Sequence, residues 1–309
     1  MKILKFAAID IGSNAARLLL TNVVEDGETV VFSKSSLVRV PIRLGEDAFS
    51  IGYISEHRAQ KLLKTMIAFK NLMEAQDVVA YRACATSAMR SSSNAPELVS
   101  MVKQHANINI EIIDGSREAE IIYANGIAEM LDHDRPYIYV DVGGGSTEIT
   151  VFEKGEIKAS NSFNIGTIRI LKGMIGKPDF DQVRDWLKSV VKKKDQPKII
   201  GSGGNINKLY KLARKPIGEP LYQKEVKNLY DFLDSFSVED RIKFLSLNPD
   251  RADVIIPATK IFLKVMKWTG AKEVIVPTIG ISDGIIRTLY ACLLYTSPSP
   301  RDRTRSRMP

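Results

Sequence analysis

Apolar residues along this chain fall first into blocks of strand length and then into helical periods, and that succession occurs twice. Residues 3–11, 16–24 and 28–40 are apolar or alternating runs separated by the turn formers Gly12-Ser13-Asn14 and Glu25-Asp26-Gly27. That pattern predicts an antiparallel meander of three strands. From Ser55, read as an N-cap, the period lengthens. Leu62, Leu63, Met66, Phe69, Leu72 and Met73 recur at helical spacing, so a helix is expected to about Glu74. Val78–Cys84 and Ile108–Ile113 follow as strands, and Ala95–His105 and Glu118–Leu131 as helices.

The pattern then restarts. Tyr137–Val142, Thr147–Phe152 and Ile157–Phe163 read as three strands, with turns at Gly143–Gly145 and Lys154-Gly155. Helices are expected over 166–176 and 179–193, then a short strand Lys198-Ile199-Ile200 ending in Gly201-Ser202-Gly203-Gly204. Further helices from about 205 and over 222–235, 238–245 and 250–269 precede a strand at Glu273–Val276 and a last helix from about 282. The expectation is an α/β fold of two domains, 1–125 and 126–292, facing a central cleft. Ligands of such sheets bind beyond the carboxyl ends of the strands. Each half resembles the ribonuclease-H-like domain of the actin, sugar-kinase and heat-shock-protein ATPase superfamily. Residues 293–309, rich in Ser, Pro and Arg, break the pattern; they are expected to be disordered and read as a translated sequencing adapter, with a native basic tail as the alternative.

A length of 309 residues accommodates two cores, and 44% hydrophobic with 26% charged residues is ordinary for a globular protein. No run approaches 18 apolar residues and no leader region is evident, so a cytoplasmic protein without a membrane partner is expected. Cys84 and Cys292 suit a reducing compartment. Of the net charge of +8, Arg301, Arg303, Arg305 and Arg307 against Asp302 supply +3. The remaining excess suits a polyanionic substrate and equally a generic solvated surface. No aromatic–basic interleaving suggests nucleic-acid readout. His57, His105 and His133 are scattered outside every motif, which disfavours histidine-based metal or phosphohistidine chemistry.

The chemistry concentrates in two acidic glycine loops, Asp10-Ile11-Gly12-Ser13-Asn14 and Asp141-Val142-Gly143-Gly144-Gly145-Ser146-Thr147-Glu148. Glycine permits close backbone approach, so successive N–H groups cradle phosphate oxygens, while an aspartate at the loop head holds a hard cation such as Mg²⁺. Gly201-Ser202-Gly203-Gly204 offers a further phosphate site at a helix N-terminus, or a plain strand-to-helix turn. Kinases, chaperone ATPases and phosphatases all use such loops, and spacing alone does not choose among them.

The choice comes from a series of segments. Asp10–Asn14, Arg43-Leu44-Gly45-Glu46, Ala85-Thr86-Ser87-Ala88-Met89-Arg90, Ile113-Asp114-Gly115-Ser116-Arg117-Glu118-Ala119-Glu120 and Asp141–Glu148 occur in this order. Together they resemble the exopolyphosphatase / guanosine pentaphosphate phosphohydrolase (Ppx/GppA) family over about residues 3–290, in its short two-domain form. The resemblance implies Mg²⁺-dependent release of the terminal phosphate from inorganic polyphosphate, or of the 5′ γ-phosphate from pppGpp. By position it makes Glu118 the catalytic glutamate that deprotonates the attacking water, with Glu120 as the alternative, since Arg117 stands where the family often has a second glutamate. It makes Asp10, Asp141 and Glu148 the metal-associated acids. It makes Gly12, Ser13, Asn14, Gly144, Gly145, Ser146 and Thr147 the phosphate cradle and Arg90 a phosphate-contacting arginine, with Arg43 and Arg169 as weaker candidates. A homodimer is a common state in the family. A superfamily kinase with an aspartate base, or a non-catalytic alarmone-binding regulator, are the competing readings.

Overall fold

In the computed structural model, residues 1–27, 29–125, 134–216, 218–277 and 280–296 are described. His133, the far end of the helix expected to reach Leu131, and the tail from Ser297 onward lie outside those residues. The expected domain boundary at 125/126 falls at the edge of them. No helix among the described residues is long and apolar enough to cross a membrane.

The first meander forms as expected. Strands β1 (Lys2–Ile11), β2 (Ala15–Asp26) and β3 (Thr29–Pro41) pair antiparallel. The helices α1 (Leu44–Ala48) and α2 (Glu56–Ala75) precede β4 (Ala80–Ala85), then α3 (Ser87–Arg90), α4 (Ala95–Ala106), β5 (Ile110–Ile112) and α5 (Gly115–Tyr123). Strands β4 and β5 join parallel, giving the order β3-β2-β1-β4-β5. Central strand β1 is buried on both faces. Ala7, Ile9 and Ile11 enter one core while Phe6 and Ala8 enter another, as a two-residue period requires. Helix α2 buries Leu62, Met66, Phe69 and Met73, the inner stripe of its apolar period, and leaves Leu72 at the surface. Ser55 is its N-cap residue, but the Ser55 hydroxyl donates to Asp47 rather than capping the helix.

The second half repeats the plan. It contains β6 (Tyr137–Val142), β7 (Thr147–Glu153), β8 (Glu156–Phe163), α6 (Thr167–Leu171), α7 (Lys177–Val190), β9 (Lys198–Ser202) and α8 (Gly204–Ala213). Then come β10 (Leu221–Tyr222), α9 (Gln223–Asp234), α10 (Val238–Leu245), α11 (Pro249–Ala252), α12 (Ile255–Thr269), β11 (Glu273–Ile275) and α13 (Ile281–Thr296). The sheet order is β10-β11-β9-β6-β7-β8, with β6–β8 antiparallel and β6, β9 and β11 parallel. Apart from the extra edge strand β10, the order reproduces that of the first sheet. Two α/β halves with matching central strands are therefore present, as the repeated pattern predicts.

Three details depart from expectation. The helix expected over 250–269 is two helices, because Pro257 lacks an N–H to bond the carbonyl of Asp253 and its ring excludes that turn. The helix expected over 166–176 stops at Leu171, and Gly173 turns the chain in the left-handed region at φ 70°. Helix α13 begins in the 126–292 segment, continues to Thr296 within the stretch expected to be disordered, and packs on the first sheet. Its Ile285, Ile286 and Tyr290 share a core with Phe6, Ala8, Leu19 and Val23. It also begins three residues before Gly284, whose α-carbon faces the backbone of α5 so closely that an added Cβ would lie 1.9 Å from the Ile121 carbonyl oxygen.

Candidate active site

Both acidic loops end up in one cavity of about 310 Å³ between the halves. Asp10 stands at the carboxyl end of β1 and Asp141 at the carboxyl end of β6, the equivalent strand of the other sheet. The loops touch: a Cβ on Gly144 would lie 2.9 Å from the Ser13 side chain. None of Gly12, Gly143, Gly144 or Gly145 has positive φ; close approach demands glycine at 143–145, whereas a Cβ at Gly12 would meet only ordinary contacts. The Arg43–Glu46 segment serves this contact. Arg43 N–H donates to the Asn14 carbonyl at 2.9 Å and Gly45 N–H to the Ser13 carbonyl at 2.8 Å. On the other side, Thr167 and Ile168 N–H groups donate to the carbonyls of Gly143 and Gly144 at 3.0 and 2.8 Å. Gly166 passes so near that a Cβ would lie 2.3 Å from the Gly144 carbonyl oxygen.

Glu118 reaches the same cavity from the first turn of α5, a helix that begins earlier than expected because Asp114 caps it by accepting from Arg117 N–H. The residue is 7% exposed, and its carboxylate accepts from Arg90 Nη1 at 3.1 Å. The same Arg90 nitrogen donates to the Ile113 carbonyl at 2.6 Å. Burial pushes the Glu118 carboxyl well up, the nearby Glu148 carboxylate adds to this, and Arg90 opposes it. Glu148 is raised by burial and by Asp141, against the Ser146 and Ser162 hydroxyls that donate to its Oε1 at 2.5 and 3.0 Å. Asp141 is raised to about 6, chiefly by burial. Arg17 and the Ser202 hydroxyl hold it down, and Asp10 pushes it up. Several carboxylates buried with too little compensation mark a functional site rather than a stability device.

Asp10, Gly12, Ser13, Asn14, Glu118, Asp141, Gly144, Ser146 and Glu148 all line this cavity. Five of the expected residues lie or point elsewhere. Arg90 does not line the cavity; it positions Glu118. Thr147 turns its hydroxyl onto the Ile165 carbonyl at 2.5 Å, because residue 147 begins β7 and its side chain enters the sheet interior. Gly145 is covered by Phe49 and Ser87, and its carbonyl accepts from Arg169 Nε at 2.9 Å. Arg169 is thereby a support for the loop, with its guanidinium 4.2 Å over the Phe49 ring. Glu120, the alternative base, is exposed and paired with Arg117 at 2.5 Å.

Of the three expected metal acids, Asp10 is occupied by an arginine. Asp10 Oδ2 accepts from Arg17 Nη1 at 2.6 Å. Among the described residues no group of three His, Cys, Asp or Glu side chains is gathered to hold a cation unaided. The donor chemistry still suits Mg²⁺, which commonly takes one or two carboxylates and completes its shell with water and substrate phosphates. Asp141 fits that description, with Glu148 beside it.

Several cavity residues escaped the sequence reading. Arg17 was legible: a hairpin turning at 12–14 places residue 17 opposite residue 10, and the two are register partners. Arg39, Arg251 and Lys211 carried no such signal. Arg39 pairs with Asp250, and Asn14 Nδ2 donates to the Asp250 carbonyl at 2.9 Å, so α11 is clasped to the first half. Arg43, expected as a phosphate ligand, pairs with Asp253 at 2.7 Å in the same clasp. Arg251 keeps its guanidinium against Gly204 and forms no ion pair among the described residues. Gly203 sits at φ 98° where a Cβ would lie 2.8 Å from Asp141 Oδ1, so the third glycine turn closes around that carboxylate.

The sequence profile of the Ppx/GppA phosphatase family matches residues 23–291. A bifunctional 3-dehydroquinate synthase/phosphatase of Fusobacterium nucleatum is 28% identical over 301 residues, 87% of this chain; the chain spans only 44% of that relative's length. Exopolyphosphatase 2 of Mycobacterium tuberculosis is 24% identical over 94% of this chain and 99% of its own length. The crystal structure of an exopolyphosphatase from Cytophaga hutchinsonii superposes with a TM-score of 0.79 at 25% identity, covering 93% of this chain and 98% of that one.

Proposed function

The chain belongs to the Ppx/GppA phosphatase family, and we propose that it releases the terminal phosphate of inorganic polyphosphate by attack of water. The observation that carries this reading is the position of Glu118: a buried carboxylate, oriented by Arg90, lining the cavity that the two glycine loops enclose. A kinase of similar fold needs an acid placed for a hydroxyl nucleophile. Here the acid stands apart from the loop aspartates on its own helix.

In the reaction a bond forms between the water oxygen and the terminal phosphorus while the bridging oxygen leaves with the shortened chain. Glu118 takes the water proton as general base and returns it to solvent. The N–H groups of Ser13, Asn14, Gly144 and Ser146, residues that line the cavity, would face the charge that gathers on the equatorial oxygens. Arg17 and Arg251 supply positive charge in the same cavity. Asp141 and Glu148 would hold a Mg²⁺ ion, which when bound neutralises phosphate charge. Arg90 donates to Glu118 and favours its ionised form against the repulsion from Glu148.

The test is phosphate release from tripolyphosphate, long polyphosphate, pppGpp and ATP with Mg²⁺ and with EDTA, in the wild-type chain and in Glu118→Gln. Loss of a general base lowers kcat by about 10²–10⁴-fold. Turnover unchanged by Glu118→Gln would remove the assigned base. A preference for pppGpp over both polyphosphates would replace the substrate, and ATP turnover requiring a hydroxyl acceptor would favour a kinase.

A further inference from the structure

The solvent face of α12 is built largely of lysine. Lys260, Lys264 and Lys267 recur at i, i+4 and i+7 and so share one side of the helix, while Ile261, Phe262, Val265 and Met266 face the core. None of the three lysines forms an ion pair among the described residues. Lys264 instead holds its ammonium 4.4 Å from the Phe180 ring centroid and 5.5 Å from that of Trp268. Its proton is held less tightly than usual, first through burial and then through repulsion by Lys260 and Lys267. Asp181 is the acid that faces Lys264, and it is committed to Arg184 at 2.6 Å. Lys193, in the turn after α7, packs its stem against Gly270 just past the end of α12 and prolongs the basic strip. Like charges at i, i+4 destabilise a helix, so the arrangement has a folding cost that no acidic partner offsets among the described residues, the two aromatic rings under Lys264 relieving only part of it.

The placement of the strip matters. Helix α12 follows directly on α11, whose Arg251 lines the cavity. Lys260 lies about 8 Å along the helix axis from Ile255 and Lys267 about 18 Å, so the lysines form a line leading away from the cavity end of the helix. A cavity of about 310 Å³ encloses only the first few units of a phosphate polymer, and the rest of the chain must lie elsewhere. We propose that the Lys260–Lys264–Lys267 face is a second anion-binding surface, which holds the length of polyphosphate that trails outside the cavity. This rests on the polyphosphate reading above. It assigns the lysines to chain-length preference and leaves the hydrolytic step to the cavity.

The experiment uses the whole chain carrying Lys260→Gln, Lys264→Gln and Lys267→Gln, beside wild type and a control pair, Lys61→Gln with Lys64→Gln, on the exposed face of α2. Thermal midpoints first establish that each variant folds. KM is then read on long polyphosphate and on tripolyphosphate, and binding of end-labelled long polyphosphate is followed by anisotropy across salt concentrations. The triple variant should raise KM for the long polymer by about 10-fold or more, leave kcat and KM on tripolyphosphate unchanged, and flatten the log Kd against log [salt] slope by about 2. An equal effect on both substrates, an unchanged salt slope, or a matching loss in the α2 control would overturn the proposal. If wild type hydrolyses no polyphosphate, the reading of the reaction fails; the anisotropy arm still decides whether this face binds the polymer.

Discussion

Replacing Asp141 by asparagine should make the cation-free protein more stable while abolishing phosphate release. Asp141 is buried at the end of β6, and burial, with a smaller push from Asp10, raises its carboxyl to about 6 despite Arg17 and Ser202. An unfolded aspartate titrates near 3.9, so the folded state binds this proton more tightly by about 2 units, worth about 3 kcal/mol. The sign follows from linkage. The contribution of this group to stability is fully present below about pH 4 and is lost as pH rises through 6. Asparagine has no charge to bury and keeps an oxygen for the Ser202 hydroxyl. The variant's advantage should therefore be near zero at pH 4, grow between pH 4 and 6, and approach about 3 kcal/mol at pH 7.5. Removing the Asp141 charge also relieves Glu148, which acts in the same direction. Urea unfolding in EDTA at half-unit pH steps measures this directly. A stability difference that is flat with pH, or a variant less stable than wild type at pH 7.5, would refute the argument that an uncompensated buried charge sits at residue 141.

Other outcomes follow from the same geometry. Arg90→Gln removes a donor that favours the ionised Glu118, so the acidic limb of the kcat profile should move to higher pH and kcat should fall by about 10–10²-fold; an unmoved limb would show that Arg90 does not tune the base. Gly166→Ala drives a Cβ against the Gly144 carbonyl oxygen, so a loss of about 1–3 kcal/mol in unfolding free energy should accompany weakened phosphate binding by calorimetry. Gly284→Ala forces α13 and α5 apart at Ile121, one turn from Glu118. It should lower kcat more than it raises KM, and a variant with wild-type kcat would dissociate that helix contact from the catalytic position.

Much of this molecule follows from local pattern. Strand and helix periods, with glycine and acidic turns between them, determine the two meanders, because hairpin register and helix phase depend on residues close together in the chain. Hairpin register even pairs Asp10 with Arg17. The segments Asp10–Asn14, Glu118 and Asp141–Glu148 each sit at a strand end or helix start, and those positions are likewise local properties. Side-chain direction within the loops was less legible. Thr147 and Gly145 belong to the same motif as Ser146, yet the first points into the sheet and the second is covered by Phe49. Which residue of a motif faces the ligand depends on what packs behind it.

Tertiary structure alone decided the rest. Only the folded chain carries α13 back onto the first sheet, where Tyr290 meets Phe6 and Phe32 edge-on at 6.0 and 5.5 Å. Only there do Arg39 and Arg43 find Asp250 and Asp253, more than 200 positions away. Such contacts have no sequence period, since an arginine on a strand and an aspartate on a distant helix are each ordinary surface residues until packing buries them together. The same holds for Glu118 and Glu148. Each is an unremarkable acid in the sequence, and only their shared burial in one cavity raises both carboxyls.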